Sequence, residues 1–85
     1  MYKIVFTKGA RKSLLRLPHD SALLVRRKLE QLAMDPFATN LDVKKLQNRS
    51  GYRLRIGDWR VIYEVQNEEL VILVMKIAPR GEVYR

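Results

Sequence analysis

The spacing of apolar positions changes several times along this chain, and each change predicts an element. In YKIVF, residues 2 to 6, aromatic and β-branched residues in an alternating run favour a strand. Thr7 then offers a helix N-cap. From Lys8 to Leu17 the apolar Ala10, Leu14 and Leu17 recur at intervals of four and three, while Lys8, Arg11, Lys12 and Arg16 take the other side of the predicted helix. Pro18 closes it. Asp20 or Ser21 can cap a second helix, in which Ala22, Val25, Leu29, Leu32 and Ala33 form a stripe opposite Arg26, Arg27 and Glu30, ending before Asp35-Pro36. Two amphipathic helices in succession suggest an antiparallel helical hairpin. The segment from Phe37 to Ser50 has no clear period and reads as a long ordered loop anchored by Leu41, Val43 and Leu46. Strands are expected again at Tyr52 to Ile56, at Trp59 to Val65 and at Leu70 to Ile77, the last apolar on both faces and therefore central and buried. The predicted class is α+β: an N-terminal strand, a helical hairpin and a three-stranded antiparallel meander, with the helices on one sheet face.

The stretch GYRLRIGDWRVIYEV, residues 51 to 65, fixes more than its secondary structure. Gly57-Asp58 is a two-residue hairpin signal, with Gly supplying a positive φ. That turn sets Ile56 opposite Trp59, Arg55 opposite Arg60, Leu54 opposite Val61, Arg53 opposite Ile62 and Tyr52 opposite Tyr63. Alternation then sends Tyr52, Leu54, Ile56, Trp59, Val61 and Tyr63 under the helices and Arg53, Arg55 and Arg60 to the other face. Opposed like charges are unfavourable: at about 4 Å the bare repulsion is roughly 1 kcal/mol in water and about 4 kcal/mol at an effective dielectric near 20. Long arginine side chains can splay, so the lower figure is the better guide. Such a guanidinium patch suits a phosphodiester. The competing interpretation is a solvated face with Glu64 as a local counter-charge.

Composition sharpens this picture. Eighty-five residues suit one domain, spanning 1–85, with one modest core. Seventeen Lys and Arg against nine Asp and Glu give a formal charge of +8, a field that favours polyanions, either nucleic acid or an acidic protein. There is no cysteine, hence no disulfide framework and no thiolate metal site. The opening residues lack the apolar run of a signal peptide, and no stretch approaches the ~20 apolar residues of a membrane span, so a soluble cytoplasmic protein with no membrane association is expected.

Familiar catalytic sets are thin. The single histidine, His19, falls between the helices, which excludes a two-histidine nuclease site and argues against a metal; no cofactor is expected. No phosphate loop, nucleophile elbow or paired-carboxylate constellation occurs. RNA can nevertheless be cleaved without metal by its own 2′-hydroxyl. That reaction needs a base, a stabiliser of developing negative charge, and an acid or water for the leaving oxygen. Clustered arginines suit the second task, and Tyr84 suits the first if neighbouring guanidinium groups lower its phenol pKa from about 10. Arg80 and Tyr84 follow the last strand closely enough to reach the arginine face, although Arg80 can equally cap a loop and Tyr84 can be a hydrophobic anchor.

The segments YKIVFTKGARKSLLRLP, KKLQNRSGYRLRIGDWRVIYEV and LVILVMKIAPRGEVYR together resemble the RelE/ParE superfamily of toxins from type II toxin–antitoxin modules. YRLRIGDWRVIYEV is similar to the family's basic-x-basic strand, turn and Arg-containing strand, and RGEVYR to its Arg plus C-terminal Tyr. RelE-type members are ribosome-dependent ribonucleases that cut mRNA in the A site. The resemblance implies Tyr84 as general base, Arg60 and Arg80 as transition-state stabilisers, and Arg53 and Arg55 as RNA-binding residues; Lys44, Lys45 and Arg49, at the basic end of the preceding loop, are further RNA-binding candidates. Its partners would be the ribosome, mRNA and an acidic antitoxin in a hetero-oligomer. Gln47, where some active members have Arg, and Pro79, where many have a polar or basic residue, depart from the pattern. ParE-type relatives share the fold and poison DNA gyrase, commonly without the nuclease residues. A noncatalytic module binding nucleic acid or a partner is the third alternative.

Overall fold

The computed structural model describes residues 1–81. Strand β1 (Lys3–Phe6) leads into helices α1 (Lys8–Arg16) and α2 (His19–Met34), followed by strands β2 (Val43–Lys45), β3 (Tyr52–Ile56), β4 (Trp59–Gln66) and β5 (Val71–Pro79). The sheet order is β1-β5-β4-β3-β2. All neighbours are antiparallel except β1 and β5, which run parallel with Lys3 beside Val71 and Phe6 beside Val74. The α+β expectation therefore holds, with the N-terminal strand added to the meander on one side and a further short strand on the other.

Thr7 caps α1 as expected. Its hydroxyl oxygen accepts the Ala10 N–H at 3.2 Å and its O–H donates to the Met75 carbonyl at 3.1 Å, so one side chain ends a helix and ties it to β5. Leu17 is extended (φ −65°, ψ 147°), the conformation forced on a residue before proline. The second cap differs from expectation. Pro18, not Asp20 or Ser21, holds the N-cap, with no side-chain hydrogen bond; its carbonyl accepts the Ala22 N–H at 2.9 Å, and Asp20 lies inside the first turn, where a carboxylate complements the helix dipole. Both helices pack on the sheet, α1 against β5 and β1, α2 against β1 and β3.

The core lies between helices and sheet. Ala10 and Leu14 of α1 and Val25, Leu29 and Leu32 of α2 meet Leu54, Ile56, Val61, Tyr63, Ile72, Val74 and Ile77, with Leu41 closing one side. The segment 37–50 is not all loop: Val43–Lys45 pairs antiparallel with β3, placing Val43 beside Leu54, Lys44 beside Arg53 and Lys45 beside Tyr52. Three residues are too few to display an alternating period, and a lysine-rich edge strand is a common means of keeping a sheet edge from pairing further. Strand β5 is interior but second in the order, and β4 is the central strand. A bulge between β4 and β5 sets Lys76 beside Ile62 and Val74 beside Tyr63, leaving Met75 as the extra residue. It explains how Val74 and Ile77, three residues apart, both face the helices.

Candidate functional site

The hairpin from Tyr52 to Tyr63 has the register its sequence predicts, pair for pair, with Gly57 at φ 56° in the turn. The face away from the helices can therefore be laid out in rows. One row runs from Asp42 through Arg55 and Arg60 to Ala78; the next runs from Lys44 through Arg53 and Ile62 to Lys76. Asp42 owes its place to the Arg55 N–H, which donates to the Asp42 carbonyl at 2.9 Å and extends the β3 pairing by one residue beyond β2.

Arg60 is on the predicted face but is not open. It is 7% exposed, and its Nη1 donates to the carbonyls of Gly57 at 2.8 Å and Trp59 at 3.0 Å. The guanidinium is folded back onto the backbone of the hairpin turn and the start of β4. Burial chiefly, then the charges of Arg55, Arg53 and Arg80, lower its pKa from the usual arginine value, with Asp42 acting in the opposite sense. It remains a cation at neutral pH. Arg53 is half-buried; its Nη2 donates to Asp42 Oδ1 at 3.2 Å while its Nε is buried without a partner among the described residues. Arg55 is exposed, with Nε 4.0 Å from Asp42 Oδ2.

The counter-charge of the patch is thus Asp42 and not Glu64, whose Oε2 accepts from the Ser50 hydroxyl at 2.9 Å. Lys44, Lys45, Arg49 and Arg53 line one depression of about 320 Å³ with Leu46 and Gln47. Lys45 reaches it from the helix-facing row, since its register partner is Tyr52. Arg80 sits in the turn after β5, exposed, its N–H donating to the Asp58 carbonyl at 2.8 Å, and so borders the same end of the hairpin as Arg60. Tyr84 lies outside the described residues. His19 begins α2, on the opposite layer from the arginine face. Among the described residues no three His, Cys, Asp or Glu gather in a group that could hold a metal ion, and no helix is long and apolar enough to cross a membrane.

Two features of the face escaped the sequence. Asp42 sits in a segment with no period, and only its place before a strand that pairs with the basic-x-basic run could have marked it. Beneath the cations lies an apolar floor: Leu46, Ile62 and Ala78 are buried, with Met75 packed against them. The positions of Ile62 and Leu46 were legible from alternation and anchoring, but their meeting was not.

Fold and site together define a small basic α+β protein with a guanidinium-lined sheet face, suited to phosphate oxygens. Residues 4–84 match the family described as ParE toxin of type II toxin-antitoxin system, parDE, and the chain belongs to that family, within the RelE/ParE superfamily. The RelE of the archaeal RelE–RelB complex from Pyrococcus horikoshii OT3 is 32% identical, with a TM-score of 0.82 over 96% of this chain and 98% of that one. A Methanocaldococcus jannaschii protein whose name proposes it as toxin RelE1 is 29% identical across 99% of this chain and 96% of its own length. The intact E. coli RelBE toxin–antitoxin complex contains a chain that shares the fold at a TM-score of 0.82 and 20% identity, covering 96% of this chain and all, 100%, of that one.

Proposed function

We propose that this RelE-like toxin is a ribosome-dependent endoribonuclease that cuts translated mRNA without a metal. The observation that carries the reading is the anchored guanidinium of Arg60, a buried cation fixed by two carbonyls and within electrostatic reach of Arg53, Arg55 and Arg80. A preoriented cation in a water-poor position stabilises a charge that develops in the transition state more than one that must reorganise. In this reading the 2′-hydroxyl of the mRNA loses its proton to the Tyr84 phenolate, which becomes the phenol, and its oxygen attacks the adjacent phosphorus. Arg60 and Arg80 hold the additional negative charge on the phosphorane oxygens. The P–O5′ bond breaks, and the leaving 5′ oxygen takes a proton from water or an acid, giving a 2′,3′-cyclic phosphate. Arg53, Arg55, Lys44, Lys45 and Arg49 grip the flanking phosphates. Tyr84 takes its role from the family resemblance. An acidic antitoxin partner accords with the net charge of +8 and with the RelE–RelB pairing of the Pyrococcus relative.

Primer extension on a translated mRNA after induction tests the reading: cuts within codons are expected, and they disappear in Arg60→Ala and Tyr84→Phe while antitoxin binding persists. Unchanged toxicity in both variants refutes it. A second reading, inhibition of DNA gyrase, is favoured by the ParE description of the matching family. It predicts intact translated mRNA and loss of gyrase supercoiling activity with the purified protein.

A further inference from the structure

We propose that Asp42 is a built-in occupant of the phosphate subsite formed by Arg53 and Arg55, and that it weakens the toxin's grip on RNA until a phosphate displaces it. The inference rests on the RNA-binding part of the function proposed above. Three observations support it. Residue 42 stands at the end of the Arg55–Arg60 row because a backbone hydrogen bond from Arg55 holds it there, so the backbone from which the carboxylate projects does not depend on its charge. Its two oxygens divide between the two arginines, Oδ1 at 3.2 Å from Arg53 Nη2 and Oδ2 at 4.0 Å from Arg55 Nε, as two phosphate oxygens would. The engagement is also incomplete: among the described residues Arg53 is bound through one nitrogen and its Nε is buried without a partner, and the Asp42 side chain remains 57% exposed and free to swing away.

A half-satisfied guanidinium held by an exposed carboxylate exchanges readily for a better anion. Until it does, the carboxylate repels every polyanion that approaches. Asp42 therefore acts through Arg53 and Arg55 as a positioning residue. It keeps the two side chains on the sheet face in the free protein and penalises RNA that arrives without a phosphate placed to replace it. Glu64 serves as the internal comparison, an equal charge on the same face whose carboxylate accepts from the Ser50 hydroxyl.

The test is fluorescence anisotropy of the purified full-length protein with a short 2′-O-methyl oligoribonucleotide, which cannot be cut, across a salt series. Asp42→Asn is expected to bind roughly three- to tenfold more tightly at low salt. Freeing Arg53 for one more phosphate should also steepen the slope of log K against log salt by about 0.7. Asp42→Glu, which keeps the charge within reach of both arginines, is expected to stay near wild type, and Glu64→Gln to tighten binding less than Asp42→Asn. Equal or weaker binding by Asp42→Asn, an unchanged slope, or an equal gain in Glu64→Gln or Asp42→Glu overturns the proposal. Thermal melts of the same variants separate a folding defect, which moves the midpoint, from the expected change in salt slope, which a purely structural role leaves alone. Absence of codon cuts by primer extension would refute the nuclease reading without touching this binding result.

Discussion

Replacing Tyr63 with phenylalanine should stabilise the protein and leave its sheet face unchanged. Tyr63 is fully buried at the centre of β4, its ring stacked on Tyr52 with centroids 5.6 Å apart and planes 24° from parallel, and its hydroxyl has no hydrogen-bond partner among the described residues. A buried, unsatisfied hydroxyl costs about 1–3 kcal/mol, whereas the void left by one oxygen costs only a few tenths of a kcal/mol, on the order of 0.3. The net expectation is a gain of about 1–2 kcal/mol. In a chain of this size that raises the melting midpoint by roughly 4–8 °C per kcal/mol. The pH dependence supplies a second arm. Burial, with a smaller contribution from Tyr52, pushes the Tyr63 phenol well above its ordinary value. The group is protonated in both folded and unfolded chains below about pH 10 and adds no pH dependence there. Above it, the unfolded chain releases the proton while the folded chain retains it, so wild-type stability falls relative to Tyr63→Phe by up to about 1.4 kcal/mol per pH unit. Denaturant titrations at pH 7 and between pH 9.5 and about 11 read both effects. A Tyr63→Phe protein less stable at pH 7, with the same alkaline profile as wild type, would show that the hydroxyl is satisfied and refute the reasoning.

Other substitutions test the supports of the site. Gly51 has φ 109°, and a Cβ there would lie 2.9 Å from the Tyr63 carbonyl oxygen, so Gly51→Ala is expected to destabilise by about 2–4 kcal/mol in chemical denaturation. Because Leu46 N–H donates to the Gly51 carbonyl at 3.0 Å, the same variant should weaken RNA binding through the Lys44–Arg49 depression. Thr7→Val removes the acceptor for Ala10 N–H and the donor to the Met75 carbonyl, with an expected loss of about 1–2 kcal/mol in a thermal melt. On the nuclease function proposed above, Arg60→Ala should lower cleavage by roughly 10²–10³ in single-turnover assays on programmed ribosomes, as for loss of a preorganised charge stabiliser.

How much of this was legible follows from the kind of signal each feature leaves. The hairpin register was fully legible because one dipeptide, Gly57-Asp58, sets the parity of every pair around it. The Thr7 cap was legible because capping is local. Strand β2 was not, because three residues show no period, and its identity depends on β3 offering an edge. Nor was the parallel pairing of β1 with β5, since nothing within residues 3–6 names a partner 68 positions away. The bulge at Met75 was hidden by a run that is apolar on both faces, where a shift of parity exchanges one aliphatic side chain for another. Alternation placed Arg60 on the correct face but carried no information about depth, which depends on the turn carbonyls that accept its Nη1.

One hairpin supplies both part of the core and the arginine face. Its helix-facing row needs only apolar bulk, and Leu54, Ile56, Val61 and Tyr63 provide it. Its other row concentrates charge, which by itself should loosen the sheet. Yet Ile62, with Arg53 beside it on β3 and Lys76 beside it on β5, is completely buried. Leu46, Ala78 and Met75 account for part of that cover, and the aliphatic stems of the flanking cations are placed to provide the rest. Stems so placed stabilise the face by burying its floor, while Asp42 bridges the heads of Arg53 and Arg55 and the carbonyls of Gly57 and Trp59 hold that of Arg60. Packing and charge on this face are thereby carried by different atoms of the same side chains. A substitution that removes the head and keeps the stem, such as arginine to methionine at position 53, therefore probes binding, whereas truncation to alanine perturbs binding and stability together.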